Sequence, residues 1–181
     1  MCLFEYFRGS LSELIKQSKQ SSHCFTKMII SPVTGRLKND LSKMGVDITS
    51  EYKHVIDNNA IRHTLNHHGG RSEVNRGQIP IVDHDFYLIA DIVANYDSIK
   101  IDIGKRNGTN IRYSKAYHNG TTILIEEKRV NRKELATVTM WKIKSPALTD
   151  ANCHQTTQIS DLSRTFADKD KSIPTKNNEL E

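Results

Sequence analysis

The sequence predicts an α+β fold, with N-terminal helices packed on a four-stranded antiparallel β-meander. Two observations carry this expectation. Apolar residues recur at helical spacing through residues 1–97, and from Ser98 the period switches to two. Within the alternating half, Asn107-Gly108 and Asn119-Gly120 stand where two-residue hairpin turns belong.

The elements follow in order. Phe4, Phe7, Leu11, Leu14 and Ile15 form a helical stripe, with Ser10 and Glu13 spaced as a capping box. The polar run 16–23 reads as a linker. Pro32 to Met44 is the next helix, with Val33, Leu37, Leu41 and Met44 on one side and Gly45 past its end. Tyr52–Ile56 is a short strand, and Asp57 caps a helix over residues 58–68 that stops at Gly69-Gly70. Asp83 and Asp85 suit the start of a helix carrying Phe86, Ile89, Ile92, Val93 and Tyr96. Strands are then expected from Ser98, over Asn110–Tyr117, over Thr121–Arg129 and over Glu134–Lys144.

Apolar residues make up 36 % of the 181-residue chain, below the roughly 45–50 % of an ordinary globular domain. The shortfall predicts one domain over residues 32–145, a helical extension and linker over 1–31, and a polar, disordered tail over 146–181. No run approaches the ~18 apolar residues of a membrane helix. Glu5 and Arg8 interrupt the N-terminal apolar residues, so no signal peptide is readable. Cys2, Cys24 and Cys153 match neither a disulfide framework nor a paired-cysteine metal motif, and read as reduced thiols.

Two-residue turns would fix the register. Asp102 would face Tyr113, Lys100 would face Lys115, and Tyr113 would face Glu126. The apolar face would gather Ile99, Ile101, Ile103, Ala116, Ile123 and Ile125 beneath the helices. The other face would carry Lys100, Asp102, Tyr113, Lys115, Tyr117 and Glu126. Such a row is either a solvated surface with stabilising charge pairs or a ligand-binding cluster able to hold a phosphate. With Ala136, Val138 and Met140 inward, the Thr139 hydroxyl would join that second face.

The densest imidazole cluster is Arg62-His-Thr-Leu-Asn-His-His68. His63 and His67 share a helix face, but Thr64 stands where the glutamate of a zinc protease motif belongs. That leaves plain surface or core histidines, or acid–base catalysis, which imidazole performs near neutral pH. Arg76 and Gln78 lie in a polar loop that serves either turn chemistry or substrate binding. Lys128, Arg129, Arg132 and Lys133 bracket the last strand connection, as a solvated turn or as neutralisers of phosphate.

A series of segments carries a resemblance. It comprises Tyr52-Lys-His-Val-Ile-Asp-Asn-Asn-Ala-Ile-Arg-His-Thr-Leu-Asn-His-His-Gly69, Arg76-Gly-Gln-Ile-Pro-Ile81, Asp91-Ile-Val-Ala-Asn-Tyr-Asp-Ser-Ile99 and Glu126-Glu-Lys-Arg129 leading to Arg132–Lys142. In this order it resembles phage-associated members of the barnase–EndoU–colicin–RelE-like nuclease superfamily, found on phage head proteins and as bacterial toxin domains. The resemblance implies helices followed by an antiparallel sheet whose exposed face cleaves RNA without a metal or other cofactor. The ribose 2′-hydroxyl would attack the adjacent phosphate and leave a 2′,3′-cyclic phosphate.

By position, His63 matches the family's helix histidine and is the first choice for proton transfer. Glu126 is the alternative base, Tyr113 and Thr139 are donors to phosphate, and Lys115 and Arg129 stabilise charge. His67, Arg76, Gln78, Arg129, Arg132 and Lys133 are expected to bind substrate. RNA is the expected partner, with room for an immunity or antitoxin protein, and no membrane. The site of action would be cytoplasmic, reached by way of a phage or a secretion system. Rival readings are a nucleic-acid-binding module without turnover, and a structural or partner-docking protein using Phe4, Phe7, Leu11 and Leu14.

Charge distribution favours phosphate. The chain is net +5, yet residues 98–145 hold 11 cations against 4 anions, while residues 1–97 hold 11 of each and the tail is net acidic. The predicted sheet region is therefore net +7.

Overall fold

The computed structural model describes residues 6–20, 25–104 and 108–145. Expectations for Phe4, the three cysteines, Asn107 and the 146–181 tail lie outside these residues. The described part is α+β, but its sheet is mixed and larger than a four-stranded meander. Among the described residues there are seven strands: β1 (Lys27–Pro32), β2 (Lys53–Asp57), β3 (Gln78–Ile79), β4 (Ser98–Ile103), β5 (Thr109–Tyr117), β6 (Gly120–Arg129) and β7 (Glu134–Lys144). Their order is β1-β2-β7-β6-β5-β4, with β3 also on β7. The four expected strands are β4 to β7, and they do run antiparallel in sequence order. What periodicity did not reveal is that β2 inserts beside β7 in parallel and brings β1 with it.

Local chemistry accounts for the helices. Helix α1 (Leu11–Lys19) begins with the expected capping box, Ser10 and Glu13 each satisfying the other's backbone N–H. Helix α2 (Gly35–Lys43) starts three residues later than expected, because Pro32 ends β1 and the Thr34 hydroxyl accepts the Leu37 N–H as N-cap. Gly45 follows α2 at φ +75°, a conformation that suits glycine. Helix α3 (Asn58–His68) starts at Asp57, whose carboxylate accepts the Ala60 N–H at 2.8 Å. Helix α4 (Ser72–Asn75) is a single turn. The segment expected as one helix after Asp83 is a 3-10 turn over Asp83–Leu88 that continues into α5 (Ile89–Asn95).

The N-terminal segment does not stand apart from the domain. Leu14 and Ile15 are buried in the common core, α1 lies against α3 with Arg62 donating to the Ser18 carbonyl, and β1 extends the sheet. The apolar stripe of α1 is thus occupied by its own chain.

The hairpin registers correct the assignment of sheet faces. The β4–β5 ladder closes at Ile103 and Thr109, and the Gly104 N–H bonds the Gly108 carbonyl. Asp102 pairs with Asn110 and Ile99 with Tyr113, a shift of three residues from the expected register. An odd shift inverts every side chain of the following strands, because alternation has a period of two. At the second hairpin Tyr117 pairs with Gly120, making His118-Asn119 the turn and moving the register by two, which preserves the faces. Gly120 is required there, since a Cβ would lie 2.2 Å from the Ile143 carbonyl oxygen.

Consequently Ile111, Tyr113, Leu124 and Met140 point into the core, where Tyr96 at the end of α5 meets the Tyr113 ring at 5.7 Å. Ile103, expected in the core, is 84 % exposed. Helix α3 covers only the β7 side of the opposite face, and Lys100, Asp102, Asn110, Arg112, Glu127 and Arg129 form its open part.

Candidate functional site

Between α3 and the open face lies a cavity of about 460 Å³. Its walls include His63, Asn59 and Ala60 from α3, Asn110 from β5, Glu127 and Arg129 from β6, Thr137 and Val138 from β7, Asp57, and Phe25 before β1. A β-bulge at Val138 helps to shape it, since β7 gains one residue opposite the Ile125–Glu126 step. Arg129 sits at the centre of the charge pattern, with Nε 3.2 Å from a Glu127 oxygen and Nη1 3.8 Å from Asp57. Burial pushes the Asp57 carboxyl above its ordinary range, against the pull of the Ala60 N–H and Arg129. Exposed His63 lies beside His67, their rings 4.4 Å apart. A carboxylate, an imidazole and a guanidinium around one cavity can exchange protons with a ligand and hold an anion.

The structure divides the expected residues. His63 and Arg129 line the one cavity, and His67 lies beside His63 on α3. Glu126 and Tyr113 lie on the other face, both fully buried, and so cannot meet a substrate from this cavity. Glu126 instead takes the His54 ring, its Oε2 2.8 Å from Nδ1, and His54 is equally buried. Burial, then the neighbouring Glu126, drives the Tyr113 phenol well above its usual value. Lys115 shares that covered face, where its Nζ donates to the Asn95 carbonyl. Thr139 is on the open-face side but lies under α3, its hydroxyl 3.5 Å from that of Thr64. Arg132 and Lys133 stand on the β6–β7 connection, Lys133 left-handed at φ 52° with Nζ 5.6 Å from the Tyr52 ring centroid. Gln78 pairs with β7 at Ile143 and Arg76 ends α4, both outside the cavity lining.

Glu127, Asn110, Asp57 and Phe25 are members that sequence reasoning missed. Glu127 was one position from the residue chosen, and only the register of the first hairpin could have distinguished them. Among the described residues, no group of three His, Cys, Asp or Glu side chains converges as a metal site would require.

Beside the cavity, Glu134 pairs opposite Arg129 and is held by Lys27 and by the Tyr6 hydroxyl at 2.7 Å. Burial raises its pKa, yet Lys27 and Tyr6 together prevail and hold it below the ordinary carboxylate value. A depressed folded-state pKa contributes stability that is present above the unfolded pKa and lost as pH falls through the folded one. The urea midpoint should therefore drop on acidification below about pH 4.5, and Glu134→Gln should flatten that drop while lowering stability at pH 7. An unchanged acid profile in Glu134→Gln would refute this linkage.

A family model described as phage-Barnase-EndoU-ColicinE5/D-RelE like nuclease matches residues 32–150. No curated protein and no solved structure matches the chain.

Proposed function

Since the chain belongs to the phage-Barnase-EndoU-ColicinE5/D-RelE like nuclease family, whose business is cleaving nucleic acid, we propose that it is a metal-independent endoribonuclease working in the cavity between α3 and the open sheet face. The observation that supports this most is the meeting of His63, Glu127 and Arg129 around that one cavity.

The chemistry needs three things. A base must take the proton of the ribose 2′-hydroxyl as its oxygen attacks the adjacent phosphorus. An acid must protonate the departing 5′-oxygen, and a cation must balance the charge gathering on the non-bridging oxygens. Glu127 and His63 divide the two proton transfers, and Arg129 supplies the cation. Arg132 and Lys133 on the adjoining connection draw the flanking phosphates. The products are a 2′,3′-cyclic phosphate and a free 5′-hydroxyl. Each bond made and broken belongs to the RNA, so no further reactant is consumed.

The test is product analysis. Purified protein with single-stranded RNA in EDTA should yield fragments whose mass shows a 2′,3′-cyclic phosphate. An RNA lacking the 2′-hydroxyl at the cleaved nucleotide should remain whole. Cleavage of that deoxy substrate, or activity that disappears with EDTA, would overturn the mechanism. Binding of RNA without any cleavage would favour a module that has lost turnover.

A further inference from the structure

We propose that Trp141, with Arg76, forms a second nucleotide subsite in which a base of single-stranded RNA stacks beside the indole. This deepens the ribonuclease reading above and rests on it. Trp141 shares the open-face side of β7 with Thr139, which meets α3. At about 3.3 Å per strand residue, it lies roughly 10 Å along β7 from Val138 in the cavity wall. The next nucleotides of a chain leaving the cavity along β7 would arrive there.

The surroundings are built for a ligand rather than for packing alone. The half-buried indole is stacked against the His68 ring at 5.9 Å and 30°. That ring is fixed by Glu73, a fully buried carboxylate whose Oε2 lies 3.1 Å from His68 Nδ1. The other Glu73 oxygen holds Arg76 at 3.1 Å, yet 65 % of the Arg76 side chain stays exposed, available to a phosphate. On β3, Gln78 pairs with Ile143, two residues beyond Trp141. A half-buried indole and an exposed guanidinium match two parts of one nucleotide, base face and phosphate. Stacking requires a base free of its neighbours, which selects single strands over duplex.

Trp141 is the only tryptophan in the chain, so its fluorescence reports this subsite directly. Titrating full-length His63→Ala protein with short single-stranded RNA should quench that fluorescence. A dinucleoside monophosphate, long enough only for the cavity, should bind without quenching, as should duplex RNA. In the active protein, Trp141→Leu should raise KM for the longer RNA roughly 5- to 150-fold and spare the dinucleotide. Arg76→Ala should lower the salt dependence of binding by about one phosphate contact. Longer RNA that binds with unchanged fluorescence, or a Trp141→Leu enzyme with parental KM, would overturn the subsite and leave the nuclease reading intact. Failure to bind or cleave any RNA would overturn both.

Discussion

His63→Ala is expected to reduce RNA cleavage by about 10²- to 10⁴-fold, the usual contribution of a positioned proton-transfer group. RNA affinity should stay near the parental value, because Arg129, Arg132 and Lys133 remain to meet phosphate. Stability should change by no more than about 0.5 kcal/mol, since the side chain is exposed on α3. Glu127→Ala should cause a loss of similar size, also without unfolding. Rate constants at saturating RNA, with filter binding and urea melts on the same preparations, separate these effects. Cleavage by His63→Ala at the parental rate would remove the histidine from the mechanism. If Glu127→Gln retains full activity, Arg129 is the group that matters on β6.

Glu126→Ala, one residue away, should act through stability instead. Glu126 and His54 are both fully buried and hydrogen-bonded at 2.8 Å. Removing one partner leaves the other without compensation in the core, at a cost of about 3–5 kcal/mol. That is a large share of the ~5–15 kcal/mol that holds a typical domain together, and the melting temperature should fall by on the order of 10 °C. Replacing both residues with leucine should recover much of the loss, because apolar groups of similar shape leave no charge to desolvate. The adjacent glutamates thus differ in kind: truncating Glu127 should give a folded, inactive protein, and truncating Glu126 an unstable one. A Glu126→Ala protein that melts like its parent but cleaves nothing would mean that β6 presents the opposite face to substrate.

Much of this was legible in the sequence. The Asp57 cap and the Gly69-Gly70 stop placed α3, and thereby His63, because start and stop signals are local and need no knowledge of the rest of the chain. The strands β4 to β7 were legible for the same reason, and the concentration of cations in that region was countable. The family signature over residues 52–142 pointed to a nuclease before any geometry was known.

Tertiary structure decided which side of the sheet is open to a ligand. The face carrying Tyr113 and Glu126 depends on how many residues turn the first hairpin, and the three-residue change from the expected register exchanged interior for exterior on β5 and β6. Asn-Gly is a strong turn signal, but nothing in it states how far the ladder extends before the turn. The insertion of β2 beside β7, and with it the burial of His54 against Glu126, joins residues 72 apart in the chain. Contacts of that separation leave no periodicity behind. The sequence alone determined α1, α3, the strands β4 to β7 and the nuclease family, whereas only the packed sheet decided that Glu127, not Glu126, lines the cavity with His63, because register is settled by long-range pairing.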